Sequence, residues 1–197
     1  MHQQFDLLID SYLANNVGIA PGFLSTDLSA GLQQNIKQLQ QEGLMTAAGI
    51  GNETVKDMDQ QMRSDKIYWL DKKHGNAFED EFLQQAEDFI DHLNRTCYAG
   101  INAYEFHYAV YGQGSFYKRH KDQFKNDDNR KYSLITYLNE NWLEEDGGQL
   151  QIYENGTIQH ILPLSKTAVL FKSDRTEHEV LKANRSRMSI TGWLKRV

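Results

Sequence analysis

His120 and Asp122 stand two residues apart in the run Tyr117-Lys118-Arg119-His120-Lys121-Asp122. On a β-strand, residues i and i+2 point to one face, so an imidazole and a carboxylate converge there. Such a pair supplies two of the three ligands of a 2-His-1-carboxylate site, which leaves adjacent coordination positions of ferrous iron open. By itself the pair says little, because a chain this rich in His and Asp contains one His-x-Asp by chance in about every second case. The third ligand has to come from elsewhere. His178, in Ser173-Asp174-Arg175-Thr176-Glu177-His178-Glu179-Val180, follows Asp122 by 56 residues, room for several strands before the chain returns to the same end of a barrel. Iron on His120, Asp122 and His178 would suit an oxygenase rather than a closed structural site. His2, His74, His92, His107 and His160 read as structural or surface residues.

Nine residues after His178 comes Arg187, in Arg185-Ser186-Arg187-Met188-Ser189. On a strand Arg185, Arg187 and Ser189 share a face. A guanidinium offers a fork matched to a carboxylate, and a serine hydroxyl can add a donor. A dicarboxylate cosubstrate needs such a group at its end remote from a metal. Met188, Ile190 and Trp193 mark this strand as core, where an unpaired charge is costly.

Positioning these residues requires strands, and the second half of the chain supplies them. Beyond Gly100, short β-type runs alternate with turn signals, predicting strands near 103–111, 116–121, 131–138, 149–154, 157–162, 167–172, 177–181 and 186–194. Asn155-Gly156 predicts a two-residue hairpin turn, and Asp146-Gly147-Gly148 another turn. Upstream, Phe5, Leu8, Ile9, Tyr12 and Leu13 recur at helical spacing, after which Asn15-Asn16-Val17-Gly18 breaks the helix and Pro21-Gly22 turns. A second helix is capped by Ser25 or Thr26, carries Leu28, Leu32, Ile36 and Leu39, and stops at Gly43. A strand over 66–70 and a third helix over 78–97 follow. Helices first and strands after argue for a mostly β protein with α, a sandwich or jelly roll braced on one side by amino-terminal helices.

The 197 residues suffice for a single domain over 1–197, helical support in about 1–100 and a β core in about 101–197. A net charge of −6 argues against a primary nucleic-acid binder. The lone Cys97 excludes an internal disulfide framework and fits a reducing cytoplasm. The start lacks a signal-peptide pattern, and no apolar run approaches the roughly eighteen residues of a membrane span.

Several stretches together resemble the iron(II)- and 2-oxoglutarate-dependent dioxygenases, and within them the prolyl hydroxylases of the oxygen-sensing type and their bacterial relatives. These are Tyr111-Gly112-Gln113-Gly114-Ser115-Phe116-Tyr117 running into His120 and Asp122; Ile135-Thr136-Tyr137-Leu138-Asn139-Glu140-Asn141-Trp142; Gly147-Gly148-Gln149-Leu150; His178-Glu179-Val180 with Arg187; and, upstream, Arg63-Ser64-Asp65-Lys66-Ile67-Tyr68-Trp69. The resemblance spans about 60–195 and implies a double-stranded β-helix. It implies Fe(II), 2-oxoglutarate and O2 as cofactors, with ascorbate as a reductant. It implies that Arg187, helped by Ser189, and Tyr137 bind the remote carboxylate of 2-oxoglutarate, and that Tyr111 lines the pocket near metal and substrate. The reaction implied is hydroxylation of a prolyl residue in a protein, coupled to decarboxylation of 2-oxoglutarate to succinate and CO2. The residues from about Thr46 to Arg63 would cover the site, with Asp65 and Arg130 pairing to fix that cover. A translation factor such as elongation factor Tu is an expected target by analogy with bacterial relatives. Two alternatives stand beside this reading: a hydroxylase of a free amino acid or other small molecule, and a jelly-roll sensor that holds metal without turnover.

Overall fold

The computed structural model describes residues 2–49, 62–123, 128–154 and 156–197. Helix α1 (His2–Asn15) buries Phe5, Leu8 and Ile9. Helix α2 (Thr26–Gln41) is capped by Ser25, whose hydroxyl accepts from the Leu28 N–H at 3.1 Å. Asn76 caps α3 (Ala77–Cys97) by accepting from the Phe78 and Glu79 amides, and Phe82, Leu83, Ala86, Phe89, Ile90 and Leu93 form its buried stripe.

The strands are β1 (Val17–Ala20), β2 (Thr46–Ala47), β3 (Lys66–Trp69), β4 (Ala103–Tyr111), β5 (Tyr117–His120), β6 (Arg130–Tyr137), β7 (Leu150–Glu154), β8 (Thr157–Ile161), β9 (Ala168–Lys172), β10 (Glu177–Val180) and β11 (Arg187–Lys195). They form a seven-stranded sheet in the order β1-β9-β6-β11-β4-β3-β2 and a four-stranded sheet in the order β5-β10-β7-β8. All pairings between these strands are antiparallel, the arrangement of a double-stranded β-helix.

Two-residue alternation divides each central strand between two cores. Phe106, Tyr108 and Val110 of β4, with Met188, Ile190 and Leu194 of β11, pack in the cluster that contains the three helices. The intervening residues, Ala109 and Tyr111 of β4 with Ile135 and Tyr137 of β6, join Leu150, Ile152 and Val180 of the small sheet in a second cluster. The helices therefore cover one face of the large sheet, and the other face is left for chemistry.

The eight strands expected in the second half all form. Strand β1 was not expected. Its four residues follow a helix break and include Gly18, where a Cβ would lie 2.5 Å from the Leu8 carbonyl oxygen of α1. Glycine is needed there for close approach of helix to strand, and pairing with β9 overrides the local turn signal. The β7–β8 hairpin closes across Glu154 and Thr157, although Asn155 itself lies outside the described residues. The cover expected over 46–63 lies outside them at 50–61.

Candidate active site

The three sequence-selected ligands meet at one place. His120 ends β5 and His178 sits opposite it on β10 as a direct Cα partner. Asp122 lies in the bend just beyond β5, so its approach comes from the exit of the chain rather than from strand alternation. Candidate ligand atoms of His120, Asp122 and His178 lie within 4.8 Å of one another. His120 Nε2 is 3.4 Å from Asp122 Oδ1, and His178 Nε2 is 3.7 Å from Asp122 Oδ2.

The surroundings fix which atoms face inward. His120 Nδ1 lies 2.7 Å from the Lys118 carbonyl oxygen and His178 Nδ1 lies 3.2 Å from that of Thr176. A carbonyl can only accept, so each Nδ1 carries a hydrogen and each Nε2 is the nitrogen turned to the centre. Ser133 donates to Asp122 Oδ2 at 2.6 Å, and its oxygen lies 2.9 Å from that of Ser173. Burial pushes the Asp122 carboxyl up, but His178, His120 and the Ser133 hydroxyl outweigh it and hold the group well below the usual carboxylate range. Burial lowers His178 to about 4, with His120 acting in the same direction, so the imidazole is neutral near pH 7. Two imidazoles and an ionised carboxylate, open on one side, are a donor set suited to Fe(II).

Arg187 lies at the start of β11, 1% exposed. Its Nε donates to the Gly148 carbonyl at 2.8 Å and its Nη1 reaches Ser189 Oγ at 3.5 Å. The guanidinium carbon lies 4.8 Å from the Tyr111 ring centroid and 5.1 Å from that of Tyr137. Among the described residues no carboxylate pairs with it. The Tyr137 hydroxyl is likewise buried and has no regular hydrogen bond among the described residues. Burial raises both the Tyr111 and Tyr137 phenols, against the lowering effect of Arg187, so both are un-ionised donors. A buried cation and an idle hydroxyl are costly unless a ligand completes them, and a carboxylate does so. Gly148 makes room for the arginine: with φ +64°, a Cβ there would lie 3.0 Å from Arg187 Cδ.

The triad, Tyr111 and Arg187 all line one cavity of about 460 Å³, with Ile135, Leu150 and Val180 as apolar wall. That volume fits a small cosubstrate and part of a second reactant.

The model of the 2OG-Fe(II) oxygenase superfamily matches residues 106–195, which contain every residue of this constellation. The crystal structure of a Pseudomonas putida prolyl-4-hydroxylase is 33% identical and superposes with a TM-score of 0.87, covering 98% of this chain and 99% of that one. The chain belongs to the 2OG-Fe(II) oxygenase superfamily. A Trichoplax adhaerens prolyl hydroxylase, solved in complex with a peptide fragment of the hypoxia inducible factor oxygen degradation domain, is 27% identical with a TM-score of 0.87 over 98% of this chain and 90% of that one. The Caenorhabditis elegans hypoxia-inducible factor prolyl hydroxylase is 30% identical over 193 residues, 89% of this chain but only 26% of the worm protein. As a 2OG-Fe(II) oxygenase the protein is a 2-oxoglutarate-dependent dioxygenase that uses Fe(II), 2-oxoglutarate and O2.

Not every expectation survives in this oxygenase. Asp65 and Arg130 do not pair with each other. The Asp65 carboxylate accepts from Arg63 Nε at 2.7 Å and Nη2 at 2.6 Å, whereas Arg130 pairs with Glu105 at 2.8 Å and lies 3.4 Å over the Trp193 ring. Arg63 is only two residues from Asp65 and strand β3 begins just after, so the nearer cation takes the carboxylate. Arg185 is exposed and bonds to Asp146 at 3.0 Å, because β11 begins only at Arg187. Sequence reasoning passed over Ser133, whose role as support for Asp122 has no local motif. It also passed over His107, which lines the cavity between Trp69 and Trp193. Its only signal was position: i−4 from Tyr111 on a strand, hence the same face.

Proposed function

We propose that this oxygenase hydroxylates a prolyl residue in a protein, with 2-oxoglutarate converted to succinate and CO2. The observation that carries the cosubstrate is the buried Arg187 guanidinium, unmatched by any carboxylate among the described residues, across one cavity from the three clustered ligands. The prolyl class is supported by the full-length likeness to the P. putida enzyme and by the likeness to the T. adhaerens enzyme with its bound peptide. In this reading residues 1–197 act as one domain, and His120, Asp122 and His178 hold the iron.

Iron with 2-oxoglutarate and dioxygen supplies the oxidising chemistry; the chain's residues bind, orient and exclude. Arg187 would grip the remote carboxylate as a bidentate pair, with donors added by the Tyr137 hydroxyl and Ser189. Tyr111, stacked beside the guanidinium, would fix the cosubstrate laterally and border the target ring. Ile135, Leu150 and Val180 would keep water from the reacting end, which strengthens the ion pair at the other. Ascorbate as reductant, the cytoplasm as compartment and a translation factor as target complete the proposal. Among the described residues no helix is long and apolar enough to cross a membrane.

The test is mass spectrometry of a cell lysate incubated with the protein, ferrous iron and 2-oxoglutarate. Gain of one oxygen on a proline of a particular protein, absent with Asp122→Ala, is the expected result. Succinate release with no hydroxylated protein would redirect the reading to a small-molecule substrate. No 2-oxoglutarate consumption at all would point to a metal-holding sensor.

A further inference from the structure

Tyr117 and His120 are both on β5 but three residues apart, and on a regular strand such residues face opposite ways. Here they stack, with ring centroids 3.5 Å apart and planes 13° from parallel. The pairing with β10 explains it. His178 pairs with His120 and Val180 with Tyr117, so three steps on β5 oppose two on β10. This is a β-bulge, and its effect is to turn Tyr117 onto the face of His120.

The other face of the tyrosine is also occupied. The Arg63 guanidinium carbon lies 4.3 Å from the Tyr117 centroid, and two groups this close cannot share one face. Arg63 is held in turn by its two hydrogen bonds to the buried Asp65 carboxylate. The main chain joins the two segments as well. Arg63 bridges Tyr117, the Ser64 amide donates to the Phe116 carbonyl at 3.1 Å, and the Phe116 amide donates to Ser64 Oγ at 3.1 Å. The result is a layered stack of carboxylate-anchored guanidinium, phenol ring and imidazole.

Among the described residues, and apart from its 3.4 Å contact to Asp122, His120 has one orienting hydrogen bond, from Nδ1 to the Lys118 carbonyl, and a single bond leaves the ring free to rock about it. A planar partner at 3.5 Å removes that freedom. We infer that Tyr117 is a positioning residue for the metal site, its ring face, clamped by Arg63 and Asp65, holding the His120 imidazole in the plane that directs Nε2 at the metal. The inference rests on the metal-site reading above. It assigns to the bulge in β5 a purpose other than pairing, and it requires the ring of Tyr117 rather than its hydroxyl.

The experiment is anaerobic titration of the metal-free protein with Co(II), following the ligand-field bands, for wild type, Tyr117→Phe and Tyr117→Leu. Outer residues that orient metal ligands typically change affinity by about 10-fold or more. Tyr117→Leu should therefore weaken Co(II) by about 10-fold and shift the bands, and Tyr117→Phe should stay within about 2-fold of wild type. Should Tyr117→Leu fail to fold, Tyr117→Met takes its place, since methionine fills a similar volume without a ring face. Wild-type affinity and bands in the Leu or Met variant would overturn the inference, as would a Phe variant as weak as Leu. Failure of the wild type to bind Co(II) would overturn the metal-site reading and this inference with it, so the two failures are told apart.

Discussion

The two ends of the cavity are built on opposite terms. At the metal end every polar atom that faces away from the centre is already satisfied: both Nδ1 atoms reach carbonyls, and Asp122 Oδ2 takes the Ser133 hydroxyl. At the Arg187 end the protein leaves bonds unmade. Among the described residues the guanidinium has the Gly148 carbonyl at 2.8 Å and a long contact to Ser189, and the Tyr137 hydroxyl lies under the influence of the same guanidinium without a regular hydrogen bond. The first end is shaped to hold a small cation in a fixed geometry. The second end stores unfavourable free energy that only an anion relieves, which makes it selective for a ligand with a carboxylate of its own.

The contrast is broken most directly at Arg187. Arg187→Met should weaken 2-oxoglutarate binding by roughly 100-fold or more, since two charge-assisted bonds go with it. The cosubstrate-free protein should be no less stable, because the lost charge was unmatched. A calorimetric titration and a melting curve on one sample check both, and a large drop in melting temperature would show that the arginine is structural.

Next in size is a pH effect at the border between the two ends. Burial lowers His107 to about 4, and Nδ1 of its ring has no partner among the described residues. An unfolded His binds its proton near pH 6.5 and the folded one near 4, so the unfolded state holds more protons between these values. Stability of the metal-free protein should therefore fall as pH drops from about 6.5 to about 4, by up to ~3 kcal/mol from this residue. His107→Gln should flatten that slope in urea melts; an unchanged slope would rule His107 out as its source.

The metal end has a smaller lever. Ser133→Ala removes the hydroxyl on Asp122 Oδ2 and should weaken Co(II) by on the order of 10-fold while leaving 2-oxoglutarate affinity in the metal-loaded protein within a few-fold. The smallest expected change is at Tyr137. Tyr137→Phe removes a hydroxyl that has no regular hydrogen bond among the described residues, so the melting temperature should hold or rise slightly. Binding of 2-oxoglutarate should weaken by about 5- to 10-fold, the worth of one hydrogen bond. Equal loss of stability and affinity would mean that the hydroxyl has a partner in the free protein.

Residue types and spacings made much of this legible. His120, Asp122, His178 and Arg187 could be chosen before any fold was known, because few side chains can hold ferrous iron or fork onto a carboxylate. The eight strands of the second half followed from β-type runs between turn signals. Short elements and long-range partners were less legible. Strand β1 exists only because β9 is there to pair with it. Asp65 chose Arg63 over Arg130 for reasons of proximity that no motif expresses.

What the sequence determined by itself, then, is the inventory: two imidazoles and one guanidinium on strands with a definite two-residue alternation, and one carboxylate just past the end of one of them. What only the tertiary structure decided is the state of each member. Burial sets His178 neutral and leaves Arg187 without a counter-charge among the described residues. A bulge between β5 and β10 turns Tyr117 onto His120 against the alternation of its own strand. These outcomes depend on dielectric and on register between strands far apart in the chain. Neither is a property of any local run of residues.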